Sequence, residues 1–256
     1  MRVANAEDGL AISSGDVVGR TFIHKFGAAP DFDTGDNEVY VWDGADDAGI
    51  DQMTYTFSTT ADIDSLVSPT IGETQNIEIQ GLDGNYLEVT QTLALNGQTR
   101  VPLTTPLLRV HRMVNRGSTD IALKVYCYVD GALTAGVPDN KADIRAVIIN
   151  GTNQTEMAIY TVPAGKTAYL RGWFASSAGG RKTTNYIMRL KVRPLGEVFQ
   201  LKHRSALTDG DAIHHKYTEP LPFAEKTDII MTAQITEAVI TESSIAAGFD
   251  LVLQDN

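Results

Sequence analysis

The sequence predicts an all-β protein: an antiparallel β-sandwich or jelly-roll-like fold with an extended N-terminal arm. Apolar residues recur with a period of two along most of its 256 residues. Turn-forming residues interrupt these runs at intervals of roughly 8–12 residues, and no βαβ rhythm appears. The length suffices for one large β domain or two small ones, with a sizeable core.

Residues 1–35 are small and polar, with Gly9, Gly15, Gly19, Gly27 and Pro30, and hold one convincing strand at 17–25. They read as an arm carrying an edge strand, which either docks on a neighbour's sheet or completes its own. The sandwich then spans 36–256, with a sub-boundary near residue 70. The alternation is clearest in three stretches: Leu87, Val89, Leu93 and Leu95 against Glu88, Thr90 and Thr92; Ile121, Leu123, Val125, Cys127 and Val129 against Lys124, Tyr126 and Tyr128; and Met188, Leu190 and Val192 against Arg189, Lys191 and Arg193. Each describes a strand with one buried face. Similar patterns fall near 16–25, 38–43, 54–59, 75–81, 106–115, 142–150, 155–162, 167–175, 197–204, 227–236 and 248–253. Asn96-Gly97 and Pro163–Lys166 are hairpin turns. Helical signal is confined to 61–67, where Asp62 and Asp64 suit a first turn, and to a short turn near 239–245. Gly44–Asp51 is an acidic, glycine-containing loop.

The formal net charge of −11 argues against binding nucleic acid through the body of the protein. No apolar run is long enough to cross a membrane as a helix, and MRVANAEDGL lacks the basic start and apolar stretch of a secretory signal, so a chain neither membrane-bound nor exported is expected. Cys127 is the only cysteine, which excludes a disulfide within the chain. Charge is unevenly placed: Phe26–Thr99 holds fourteen acidic residues and no Lys or Arg, while Arg171–Arg204 holds eight basic residues and one acid, Glu197. The two parts either meet within one molecule, remain as solvated surface, or meet between copies and set the register of an assembly.

Motifs for chemistry are sparse. Asp31, Asp33 and Asp36 resemble the start of a calcium loop, but the glutamate required eleven residues on is replaced by Trp42, so a solvated turn is the better reading. Asp43, Asp46, Asp47 and Asp51 form a weaker candidate of the same kind. His214 and His215 are adjacent, so on a strand they point to opposite faces and cannot share a metal or a catalytic role. His24, His111 and His203 stand alone in the sequence. Nucleophile-elbow, phosphate-loop, dinucleotide-binding and zinc-protease motifs are missing. Paired carboxylates of a glycoside hydrolase would leave no local signature. Asn150 and Asn153 match a glycosylation pattern but read as a polar turn. No catalytic residue, cofactor or metal is expected. Trp42, Trp173, Phe174, Tyr126 and Tyr128 could form a stacking platform, although core packing explains them better. Of adjacent Trp173 and Phe174 one must face outward, and Tyr126 and Tyr128 lie opposite the apolar parity of their strand, so these aromatics are candidate inter-subunit anchors.

GLDGNYLEVTQTLALNGQT (Gly81–Thr99), MAIYTVPAGKTAYLRGWFAS (Met157–Ser176), RPLGEVFQLKH (Arg193–His203), LPFAEKTDI (Leu221–Ile229) and AGFDLVLQDN (Ala247–Asn256), with FGAAPDFDTGDNEVYVWDG (Phe26–Gly44), resemble a group of virion structural proteins of tailed bacteriophages, frequent in marine phages. The resemblance covers residues 77–256 and 26–44 and implies a homo-oligomeric capsid decoration or cement protein, or a neck or tail component, with no catalytic residues. The expected function is therefore non-enzymatic: a dimer or trimer on the outside of a phage head, made in the host cytoplasm, that staples the major capsid protein or other virion proteins. In this expectation the arm adds to a neighbour's sheet, Arg189, Lys191 and Arg193 oppose acidic surface, and Tyr126, Tyr128 and Phe174 supply apolar anchors. A neck or tail role is the first alternative and a carbohydrate-binding module, or a β-sandwich hydrolase, the second.

Overall fold

The structure, a computed structural model, describes residues 6–30, 37–45, 50, 52–178, 184–237 and 243–256. A short helix, α1 (Ala6–Ser13), precedes β1 (Arg20–Ala29) and β2 (Val39–Tyr40). Then follow β3 (Ile63–Val67), β4 (Asn76–Leu82), β5 (Glu88–Ala94), β6 (Val101–Leu107), β7 (Arg109–Asn115), β8 (Val125–Val129), a small hairpin of β9 (Leu133–Thr134) and β10 (Val137–Pro138), and β11 (Ile144–Ile148). The C-terminal part comprises β12 (Ile159–Thr161), β13 (Lys166–Ala178), β14 (Asn185–Arg193), β15 (Gln200–Thr208), β16 (Ala212–Phe223), β17 (Asp228–Glu237) and β18 (Ser244–Asp255).

These strands form two sandwiches, and every pairing is antiparallel. The second sandwich has one sheet in the order β1-β18-β13-β16 and another in the order β12-β17-β14-β15, with β2 also on β17. Taken in chain order, β1 and β12–β18 are dealt between the two sheets in the jelly-roll manner. The first sandwich, formed by sheets β11-β8-β3-β6 and β5-β4-β7, lies in sequence between β1 and β12. Its six strands β3–β8 repeat the arrangement of β13–β18: the orders 8-3-6 and 5-4-7 correspond to 18-13-16 and 15-14-17. A trace survives in sequence, since Gly84–Leu95 and Gly196–Leu207 align without a gap and share Gly, Ala and Leu at 84/196, 94/206 and 95/207. Both Leu95 and Leu207 are buried.

This grouping differs from an arm over 1–35 followed by a sandwich from 36. β1 pairs with β18 over ten residues, from Arg20↔Gln254 to Ala29↔Ile245, so it is an edge strand that completes its own sheet. Gly27 is required where β1 crosses the second sheet, because a Cβ there would collide with the backbone of Val41 and Ala158. The helical turn expected at 61–67 is instead β3, held between β6 and β8; two-sided pairing outweighs the acidic first-turn signal. Residues 54–59, expected as a strand, join no sheet. The turn expected near 239–245 lies largely outside the described residues, and β18 begins at Ser244.

Tyr126 and Tyr128 are corrected outright. Both are buried, at 3% and 0% exposure, and present no outer face. β8 is an interior strand, between β11 and β3, and both of its faces are buried. Segment 52–58 lies against the β11 end of the sheet, with Gln52 Nε2 donating to the Lys141 carbonyl (2.7 Å) and Arg145 Nε donating to Ser58 Oγ (3.1 Å). Burial on both faces turns VYCYV into a continuous apolar run rather than an alternating one. Cys127, inside that run, is a free thiol whose burial pushes its pKa up to about 12.

One continuous apolar core joins the two sandwiches. A buried ion pair crosses between them: Arg109 Nε on β7 lies 3.1 Å from Asp228 Oδ1 on β17 and also donates to Thr161 Oγ1 of β12, while Arg109 Nη1 donates to the Ser58 carbonyl at 2.6 Å.

Candidate functional site

β14 alternates cleanly, with Tyr186, Met188, Leu190 and Val192 inward and Arg189, Lys191 and Arg193 on the other parity. That basic row is satisfied within the chain. Arg189 Nη1 lies 3.4 Å from Glu38 Oε1 and Nη2 donates to Gln234 Oε1 at 2.7 Å; Lys191 Nζ also donates to the Glu38 carboxylate, as does the Thr232 hydroxyl. Burial by itself would raise the Glu38 carboxyl, but the hydrogen bonds from Lys191 and Thr232 and the charges of Lys191 and Arg189 outweigh it and hold its pKa below the usual value. Arg193 Nη2 donates to Asp228 Oδ2 at 2.6 Å, and its guanidinium lies 4.5 Å from the Phe57 ring centre and 4.6 Å from that of Phe199. Arg189 and Lys191 share the one Glu38 carboxylate and Arg193 shares Asp228 with Arg109, so the row is hydrogen-bonded within the chain while keeping part of its positive charge. Much of the acid-only segment is also paired within the chain: Asp64 pairs with Arg100, Glu78 with Arg116 and Glu88 with Lys166. Among the described residues, segments of opposite charge meet inside one chain.

Phe174 remains as an outward aromatic. Trp173 is 1% exposed and Phe174 only half-buried, as adjacent residues on a strand require. Phe174 stacks on His24 with ring centres 5.4 Å apart and meets His214 edge-on at 6.4 Å, while His24 Nδ1 bonds Asp250 Oδ1 at 2.7 Å. Gly248 on the intervening strand makes this possible, because a Cβ there would strike the Phe174 ring. His215 faces the other way, 4.6 Å from His203 and against Tyr217. Burial, and then His215, lowers the pKa of His203. With Trp42, Trp173, Tyr126 and Tyr128 all buried, a sugar-stacking platform built from these aromatics is not formed.

Among the described residues no three His, Cys, Asp or Glu side chains gather as a metal site. Asp31, Asp33, Asp36, Asp46, Asp47 and Asp51 lie outside the described residues; Asp43 is buried and accepts the Glu156 amide at 2.7 Å.

Sequence reasoning missed the apolar tips of two corresponding hairpins. The β14–β15 hairpin exposes Leu195, Val198 and Leu201 at 59%, 77% and 52%, and the β4–β5 hairpin exposes Leu87. The signal was available in LGEVFQL, whose apolar residues surround a glycine turn rather than a packed strand. No protein-family model matches the chain, and none of the curated proteins is detectably similar to it.

Proposed function

We propose that this protein is a non-enzymatic structural component of a tailed-phage virion, a capsid decoration or cement protein that joins neighbouring subunits on the head surface. The observation that carries the reading is the apolar tip of the β14–β15 hairpin, Leu195, Val198 and Leu201, exposed on the RPLGEVFQLKH segment that bears the family resemblance. Apolar side chains held out on a rigid hairpin suit docking against another protein. Because Arg189, Lys191 and Arg193 are hydrogen-bonded within the chain, the apolar tip rather than that basic row is the proposed main contact, and the pairing of β1 with β18 moves it away from a donated arm. Phe174, with His24 and His214 beside it, is a second contact surface. Individually weak contacts repeated over a closed lattice give strong attachment.

The test is electron microscopy of particles assembled with wild-type protein or with Leu195→Lys and Val198→Lys together. Wild-type protein is expected on the head surface, with occupancy lost in the double variant. Equal occupancy removes the hairpin from the contact, and density at the neck or tail replaces the head assignment.

A further inference from the structure

A cleft of about 460 Å³ lies where β1 of the second sandwich passes the first, and its lining is unlike that of a contact surface. Lys25, from β1, is 7% exposed, and among the described residues its one hydrogen bond is to the main-chain carbonyl of His111. An ammonium with one acceptor is costly to bury. Burial, and then the like charge of Arg112, bring its pKa down to about 7.

The groups around it are mostly donors. Arg112, on β7, is exposed, donates to Gln154 Oε1 and makes no ion pair within 4 Å among the described residues, although its charge reaches the Glu78 carboxylate, which is paired with Arg116. The Tyr160 side chain, from β12, lines the same cleft, stacked 4.2 Å from the His111 ring, and its hydroxyl has no hydrogen-bond partner among the described residues. His111 adds no positive charge: burial, then Lys25 and Arg109, hold its pKa well below the ordinary value, and Nε2 accepts the Thr161 amide. His24, next to Lys25 on β1, is turned to Asp250. Among the described residues the one carboxylate in the lining, Glu88 on β5, is half-exposed and faces Lys166 at 3.4 Å; after burial, its charge also raises the pKa of the Tyr160 hydroxyl and keeps it a donor. Phe22, Ile23, Phe26 and Val89 supply apolar wall. Donors lining a partly apolar cleft of this size describe a small-ligand site.

We propose that this cleft binds a small organic carboxylate with an apolar body, its carboxylate held by Lys25, Arg112 and the Tyr160 hydroxyl. This inference is independent of the virion reading. Binding has a proton signature, because a carboxylate beside Lys25 favours the charged amine. Near pH 8 the free amine is largely neutral, so binding draws up close to one proton; near pH 6 the amine is already charged and uptake is close to zero.

The test is calorimetry on the full chain with benzoate, inorganic phosphate and benzyl alcohol, at about pH 6 and about pH 8 in buffers of different ionisation enthalpy. Benzoate is expected to bind, phosphate at least about tenfold more weakly and benzyl alcohol not measurably. Lys25→Met, which replaces a buried amine by an apolar chain of similar shape and so preserves folding, is expected to weaken benzoate by about tenfold or more and to abolish uptake near pH 8. Arg112→Gln is expected to weaken benzoate several-fold while uptake persists. In the wild-type protein benzoate is expected to shield Lys25 from acetylation, read by mass spectrometry. No benzoate binding at about 10 mM, unchanged binding in Lys25→Met, phosphate binding as tight as benzoate, or an unshielded Lys25 would each overturn the proposal.

Discussion

In the first sandwich β8 and β11 are buried on both parities, whereas in the second β14 alternates without exception and β15 and β16 leave one parity largely in water. The strand order of the six-stranded block is the same in both. The corresponding strands β4 and β14 both alternate, so the contrast lies in β8 and β11, which are buried on both faces. On β8 of the first sandwich, an interior strand, Tyr126 and Tyr128 are core. The outer face of β1-β18-β13-β16 carries α1 at one end, where Ile12 is buried, and leaves Phe174, His24 and His214 toward solvent.

The sharpest way to break this comparison is at the joint. Asp228→Asn strands the buried Arg109 guanidinium and frees Arg193, and is expected to cost about 3–5 kcal/mol of unfolding free energy in a denaturant titration. If the joint couples the halves, the variant also splits one unfolding transition into two; a loss under about 1 kcal/mol would show that the sandwiches do not depend on it. Next in size, Leu95→Ala and Leu207→Ala remove corresponding core leucines and are each expected to cost about 2–5 kcal/mol, by similar amounts if the repeat packs alike. A neutral result at either position would deny the equivalence.

Lys25 gives a smaller, pH-dependent effect at the seam. Its folded pKa of about 7 lies below the ordinary 10.5, so between these values the unfolded chain keeps a proton that the folded chain has lost. Stability should therefore rise with pH through that window, by up to about 1.4 kcal/mol per unit, and Lys25→Met should remove the rise. The smallest effect belongs to the outer charge row. With the Glu38 pKa below its unfolded value, its contribution is present above about pH 4.5 and is lost as pH falls through the folded pKa. Glu38→Gln is expected to cost at most about 1 kcal/mol at neutral pH, since the three side chains are only partly buried, and to flatten the acid limb of the stability curve. A loss matching that of Asp228→Asn would place this row on a par with the joint.

Much of the fold was legible in residue order. Period-two patterns in Met188–Arg193 and Leu87–Leu95 located β14 and β5, because a half-buried strand must alternate. Asn96-Gly97 and Pro163–Lys166 located turns but not the expected hairpins: β5 and β6, and β12 and β13, lie in different sheets, and a turn's residues do not say which strand its neighbour pairs with. Of the proposed contact residues, Phe174 was legible from parity alone. Tyr126 and Tyr128 were not, because nothing local reports that both faces of β8 are buried. Nor were Leu195, Val198 and Leu201, whose apolarity reads as core until the hairpin is seen to project.

The sequence by itself determined the class of architecture, the turns, and the parity of each open strand, all of which follow from local sterics and side-chain alternation. Only the tertiary structure decided that opposite charges far apart in the chain pair with one another, that the strand block is repeated, and that Lys25 is enclosed at the seam. Those outcomes depend on which surfaces are brought together and dried, and burial is a property of the assembled fold that no window of residues contains.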